Sequence, residues 1–428
     1  MSISEIAAAA QSASNRLAAI ETDIKNRALA RIGEALRQRS VEIVSANEED
    51  LAVAEKDRLA APLLKRLKFD REKIDQVVAG IESLIALDDP VGRTIAATEL
   101  DAGLELHKVS CPIGVIGVVF ESRPDALVQI STLCLKSGNA VLLKGGSEAA
   151  QTNRILTDVI AEASEEAGLP AGWIQLLQTR EDVAAMLALD EYIDLVVPRG
   201  SNEFVRYIMN NTNIPVLGHA DGICHVYVDG DADLEMAMNV AVDSKCQYVA
   251  VCNAAETLLV DSKIAGEFLP RVKTTLESKG VELRGCARTE EIVDVTPAGE
   301  ADWSTEYLDN ILSIKVVDGL DAAIEHVNRY GSGHTDAIVT ANKDTAERFM
   351  ALVDSANVFW NCSTRFSDGF RYGLGAEVGI STNKIHARGP VGLEGLVIYK
   401  WKLLGSGQIV ADYSGPNPKK FTHRKISE

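Results

Sequence analysis

The sequence lacks the marks of several protein classes. None of its seven cysteines (111, 134, 224, 246, 252, 286 and 362) forms a C-x-x-C pair, and the total is odd. That pattern fits a reducing compartment such as the cytoplasm, and fits neither a disulfide framework nor a zinc site. The seven histidines show no ligand spacing, so no metal is expected. Neither G-x-G-x-x-G nor a Walker sequence occurs. The most apolar stretch, 113–120, is far short of the roughly 20 residues needed to span a bilayer. The opening Met1-Ser2-Ile3-Ser4-Glu5 has no basic region and no long apolar core, unlike a secretory signal. Basic residues are outnumbered, and a formal charge of −19 argues against a nucleic-acid or anionic-membrane surface. Any site for an anionic ligand must therefore be locally basic.

What is present is an ordinary globular composition, 46% hydrophobic and 25% charged, over 428 residues, enough for two or three domains. Residues 3–57 and 70–87 have helical periodicity, and Asp88-Asp89-Pro90-Val91-Gly92 breaks it. Leu104 to Val109 alternates like an exposed strand. From 113 onward, apolar strands alternate with amphipathic helices: strands at 113–120, 140–144, 173–177 and 193–197, helices at 124–137, 148–167, 180–190 and 201–210. A helix over 231–250 leads to Cys252, and the alternation resumes with strands at 256–261, 312–317, 336–341 and 357–361. Such alternation predicts parallel sheets with helices on both faces. Residues 362–390 are glycine-rich with little periodicity, and read as a long functional loop or lid. Strand character returns over 397–411, and a basic tail follows from Pro418.

Cys252 lies in a turn between a helix and a buried strand, where reactive groups concentrate. A thiolate forms an acyl intermediate electrophilic enough for a hydride to reduce. A free cysteine is equally often a small buried hydrophobe. Lys144-Gly145-Gly146-Ser147 and Pro198-Arg199-Gly200-Ser201 each join a strand to a helix. Glycine turns at helix N-termini suit a phosphate, and two in one sheet point to an extended phosphate ligand, although either can be an ordinary turn. Glu121-Ser122-Arg123-Pro124 falls at a strand's carboxyl end, where open α/β sheets bind ligands. Arg123, Arg365 and Arg371 are candidate clamps for carboxylate or phosphate, or else solvated charges. His326 and His334 read as structural histidines.

Several of these segments, in this order, resemble the aldehyde dehydrogenase superfamily, and within it the subfamily that reduces γ-glutamyl phosphate. They are Phe120 to Pro124, Cys252-Asn253-Ala254, the signature-like run Val317 to Ile338 (with Val327 where isoleucine is usual) and Gly373 to Gly379. The resemblance implies a doubly wound parallel-sheet cofactor domain (1–98 and 112–250), a smaller α/β catalytic domain (251–390) and a β oligomerisation extension (99–111 and 391–428). It implies NADPH-dependent reduction of L-glutamyl 5-phosphate to L-glutamate 5-semialdehyde through a thioester, in proline biosynthesis. Partners would be further copies of the chain and the kinase that makes the acyl phosphate. The alternatives are a CoA-acylating aldehyde dehydrogenase or a catalytically silent binding protein.

Carried over by position, Cys252 is the nucleophile. Lys144 holds the cofactor ribose, Gly200 and Ser201 lie beside the pyrophosphate, and Glu306 contacts the nicotinamide ribose. Ser122 replaces the usual oxyanion-binding asparagine. Ser147 replaces a ribose-binding glutamate, relieving repulsion of a 2′-phosphate and favouring NADPH despite Glu148 next door. His219 stands where hydrolytic relatives carry a general-base glutamate, as an enzyme that passes its acyl group to phosphate rather than to water would have it.

Overall fold

The computed structural model describes residues 2–177, 181–219 and 221–426. Its first sheet has four parallel strands in the order Ile174–Leu176, Ala140–Gly145, Val115–Phe120, Leu195–Arg199. The two central strands are buried at every residue, which explains their unbroken apolar sequence. Helices Pro124–Lys136 and Ala150–Glu166 connect the strands. The helices Ile3–Leu17, Thr22–Gln38 and Arg71–Ala86 bury Ala7, Ala10, Ile32, Val78 and Ile81 in the same core. Asp70 starts the last of these, its side chain accepting the Lys73 N–H.

The chain winds outward from Val115–Phe120 in one direction and then returns to place Leu195–Arg199 on the other side. The carboxyl ends of these two strands flank the switch point, where an open α/β sheet offers its crevice. Glu121-Ser122 and Arg199-Gly200-Ser201 stand there.

A second parallel sheet has seven strands in the order Thr296–Pro297, Glu282–Gly285, Ile311–Val317, Ala255–Asp261, Cys224–Val228, Thr335–Val339, Asn357–Trp360. It has its own buried clusters on either face. Strand Cys224–Val228 and helix Leu234–Cys246 pack in the layers of this sheet, although both precede the division expected at 250. The sequence hid this strand because His225 breaks its apolar run. His225 is fully buried with Nδ1 2.8 Å from Asp336 Oδ1 on the neighbouring strand. The helix expected over 231–250 is shorter at both ends, since Asp233 is its N-cap and accepts the Met236 N–H.

A third, antiparallel sheet runs Val397–Leu404, Leu104–Pro112, Thr94–Asp101, Arg424–Ile426. The extension therefore begins at Thr94 rather than 99. The basic tail ends in a strand, fixed by Arg424–Glu99 at 2.6 Å. The glycine-rich 362–390 stretch is anchored, with Val378 packed in the first sheet's core and strands Gly379–Ser381 and Gly389–Val391 paired. No helix among the described residues is long and apolar enough to cross a membrane.

Candidate active site

Cys252 sits half-buried in the turn between helix Leu234–Cys246 and strand Ala255–Asp261. Its turn is tied to the glycine-rich segment on both sides of the next residue. Asn253 Nδ2 donates to the Ser367 carbonyl at 2.7 Å, and Thr364 Oγ1 donates to the Asn253 carbonyl at 2.7 Å. Just before, Lys245 and Glu256 form a fully buried ion pair at 2.6 Å that joins the helix end to the strand start.

Gly222 lies directly against the cysteine. A methyl group built on it would stand 2.2 Å from the Cys252 carbonyl oxygen and 2.4 Å from its Cα, so only glycine fits. The Gly222 N–H donates to Glu306 Oε1 at 2.9 Å, and Asn202 Nδ2 donates to Glu306 Oε2 at 2.5 Å. Glu306 thus links the first sheet's last helix, Asn202–Asn210, to the turn beside Cys252. Residue 220, within the Gly218–Gly222 stretch, lies outside the described residues.

Burial pushes the Cys252 thiol up to about 12, and the Glu306 carboxylate adds to the effect. Arg199 opposes both, while Glu377 pushes in the same direction as Glu306. Arg199 Nη1 donates to the Val378 carbonyl at 3.0 Å, which fixes this cation at the switch point. Its guanidinium helps hold the neighbouring Arg123 below the ordinary arginine range, the larger cause being burial. Arg365 is buried too, donating to Gln247 Oε1 at 2.9 Å. Burial and Arg371 lower it, and Cys252 raises it. Arg371 is farther out, bonded to the Arg365 carbonyl at 3.0 Å. Of the candidate arginines, Arg365 lies within the electrostatic reach of Cys252, while Arg199 was read in sequence only as part of a glycine turn.

Two histidines complete the surroundings. One donor atom each of His219, Cys252 and His334 lies within 4.8 Å of the others. His219 Nδ1 is 2.9 Å from the Ile380 carbonyl, so Nδ1 carries the proton and Nε2 the lone pair. His334 is fully buried, with Nδ1 2.8 Å from Thr335 Oγ1 and Nε2 without a partner. Burial lowers both histidines below their ordinary range. His334, read in sequence as structural, stands beside the nucleophile candidate. No sequence spacing signals this, because the three residues come from separate elements.

Ser122 is held by Glu148. Its φ of +44° is left-handed, a conformation that costs a non-glycine residue about 1–2 kcal/mol. Both its N–H and its hydroxyl donate to Glu148 Oε1, at 2.7 and 2.6 Å. Donation from this hydroxyl to an oxyanion at Cys252 would require it to leave Glu148.

At the other end of the first sheet's crevice, Gly145, Gly146, Ser147, Gln151 and Arg154 line a cavity of about 180 Å³. Lys144 is buried beside it, donating to the Gly145 carbonyl at 2.5 Å. Glu148 turns away toward Ser122, so the wall offers Ser147 and the Arg154 guanidinium. Ala150, Asn153, Leu176 and Leu177 complete the lining, and Arg154, which the sequence reading did not single out, donates to Gln151 Oε1 at 2.7 Å. At the second turn the Ser201 N–H donates to Glu121 Oε2 at 3.1 Å, so Glu121 occupies the anion position there.

The aldehyde dehydrogenase family model matches residues 1–298. The gamma-glutamyl phosphate reductase of Acetivibrio thermocellus is 64% identical over 428 residues, covering 100% of this chain and 99% of that one. That of Pelotomaculum thermopropionicum is 65% identical, covering 100% and 98%. The crystal structure of gamma-glutamyl phosphate reductase from Thermotoga maritima superposes with a TM-score of 0.93 at 43% identity, covering 95% of this chain and 99% of the other. The chain belongs to the aldehyde dehydrogenase family, in its gamma-glutamyl phosphate reductase branch.

Proposed function

We propose that this chain reduces L-glutamyl 5-phosphate to L-glutamate 5-semialdehyde and phosphate with NADPH, the second step of proline synthesis from glutamate. The observation that carries the reading is full-length identity of 64–65% to relatives bearing that reductase name. The setting of Cys252 supports it, since a half-buried thiol lies within the influence of Arg199 and Arg365.

In this reading the Cys252 sulfur attacks the γ-carbonyl carbon. A C–S bond forms, the C–O bond to phosphate breaks, and phosphate leaves with the electron pair. The thiol proton must be lost first, and a bound acyl phosphate brings its own need for cations that Arg199, Arg365 and Arg123 meet. Bound NADPH supplies the hydride that the thioester needs. Loss of the C–S bond from the reduced adduct then returns a thiolate to Cys252 and frees the aldehyde. Phosphate is a good leaving group, so little general-acid help is required.

Lys144, Ser147 and Arg154 would hold the ribose end of the cofactor, with Ser147 and Arg154 favouring a 2′-phosphate. Gly200 and Ser201 would take the pyrophosphate once Glu121 yields, and Glu306 the nicotinamide ribose. Strand Val397–Leu404 exposes Tyr399, Trp401, Leu403 and Leu404 at the edge of its sheet, which supports its use as an oligomerisation strand. The seven unpaired thiols suit a reducing cytoplasm. Transfer from the upstream kinase would protect the short-lived acyl phosphate. Substitution tests the core of the reading: Cys252→Ala abolishes turnover with nucleotide binding intact, whereas Cys246→Ala and Cys362→Ala keep most activity. A dead Cys246 or Cys362 variant beside an active Cys252→Ala would overturn it.

A further inference from the structure

Two histidines beside the nucleophile complete, with its sulfur, a donor set that acyl transfer alone does not require. His334 is fully buried, yet Nε2 has no partner, and an orphaned buried nitrogen demands a reason. The His219 and His334 rings meet edge-on with centroids 4.9 Å apart, and one donor atom of each lies within 4.8 Å of the other and of the Cys252 thiol. His219 gives its Nδ1 proton to the Ile380 carbonyl at 2.9 Å, the second contact by which proteins orient an imidazole whose other nitrogen binds a metal. His334 Nδ1 is likewise engaged, by Thr335 Oγ1 at 2.8 Å.

We propose that His219, Cys252 and His334 form a binding site for a borderline-soft divalent cation of the zinc class, which holds the enzyme reversibly inactive. Two imidazoles and a thiolate are the donor set such ions select, and three protein ligands with one open position make a familiar tetrahedral arrangement. A tetrahedral zinc ion would draw these donors to roughly 3.3–3.8 Å from one another. The thiol loses its proton to solvent as the sulfur–metal bond forms, and no electrons are exchanged. With its sulfur ligated, Cys252 cannot attack an acyl phosphate. That consequence for turnover rests on Cys252 being the nucleophile; the binding does not.

The test is a calorimetric titration of the full chain, free of substrate, with zinc sulfate, together with the spectrum of its cobalt(II) complex. The expected result is one ion per chain and a thiolate-to-cobalt charge-transfer band. Cys252→Ser removes the band, and His219→Gln and His334→Gln each weaken binding by more than the roughly 10- to 100-fold that loss of an outer-shell partner costs. Cys362→Ala leaves binding unchanged. Zinc added to assays inhibits wild type, and a chelator restores it. If His334→Gln fails to fold, the cobalt band of wild type and its loss in Cys252→Ser still decide. The proposal is overturned by an absence of binding, by an absent cobalt–thiolate band, or by zinc affinity that is the same in wild type and in the folded variants. Because the titration needs no turnover, its failure leaves the reductase reading intact, and a failed reductase assay leaves the metal site intact.

Discussion

Glu306 Oε1 accepts the backbone N–H of Gly222 at 2.9 Å, and Gly222 rests on the Cys252 backbone. The hydrogen bond holds a carboxylate where it disfavours the thiolate, second only to burial. Glu306→Gln removes that charge and should make Cys252 more reactive in the ligand-free enzyme. Alkylation by iodoacetamide at pH 8 should accelerate by up to about tenfold, the gain in thiolate that one pKa unit provides. Wild-type alkylation should keep rising with pH beyond 10, because the raised thiol titrates high. An unchanged or slower rate in Glu306→Gln would count against this account of the thiol.

Gly222 has no room for a side chain. Gly222→Ala must push the chain away from Cys252 or distort the turn, and overpacking of this kind costs about 1–3 kcal/mol. Activity should fall by more than the stability loss explains. A variant with wild-type melting temperature and turnover would contradict the contact.

The ribose end of the crevice predicts cofactor choice. With Ser147 and Arg154 lining the cavity, kcat/KM should favour NADPH over NADH. Ser147→Glu should erode the preference by like-charge repulsion. Arg154→Ala should raise KM for NADPH while leaving NADH nearly unaffected. Equal efficiency with both cofactors in wild type would remove the basis for these assignments.

Lys245 and Glu256 are both fully buried and 2.6 Å apart, just before and just after the Cys252 turn. Breaking the pair strands a charge, at a cost of about 3–5 kcal/mol. Lys245→Met should therefore melt far lower than wild type in thermal unfolding, and a Lys245→Met/Glu256→Met double variant should recover much of the loss. Additive losses in the double variant would show that the two charges do not depend on each other.

Strand and helix alternation after residue 113 was legible in sequence because parallel strands are apolar throughout, as Val115–Phe120 is. Strand Cys224–Val228 was not, since His225 interrupts its pattern and finds its partner in Asp336, more than a hundred positions away. Cys252 was legible from its place in a helix-to-strand turn and from the family resemblance. His334 and Arg199 were not, because their relation to the thiol exists only once two sheets and the glycine-rich segment come together. The hydrogen bond from the Ser122 hydroxyl to Glu148 was not legible either, because it joins the carboxyl ends of two separate strands.

The most direct measurement follows NADPH formation from glutamate semialdehyde in phosphate-free buffer and again after phosphate is added. By the family resemblance His219 falls where hydrolytic relatives carry a general-base glutamate, and burial lowers its basicity while its Nδ1 donates to the Ile380 carbonyl. The thioester on Cys252 should therefore resist water and wait for phosphate. Steady-state NADPH production should be negligible without phosphate or arsenate and should rise with phosphate concentration. Sustained production in phosphate-free buffer, with free glutamate as product, would show that His219 or another group activates water, and would contradict the phosphate-dependent mechanism.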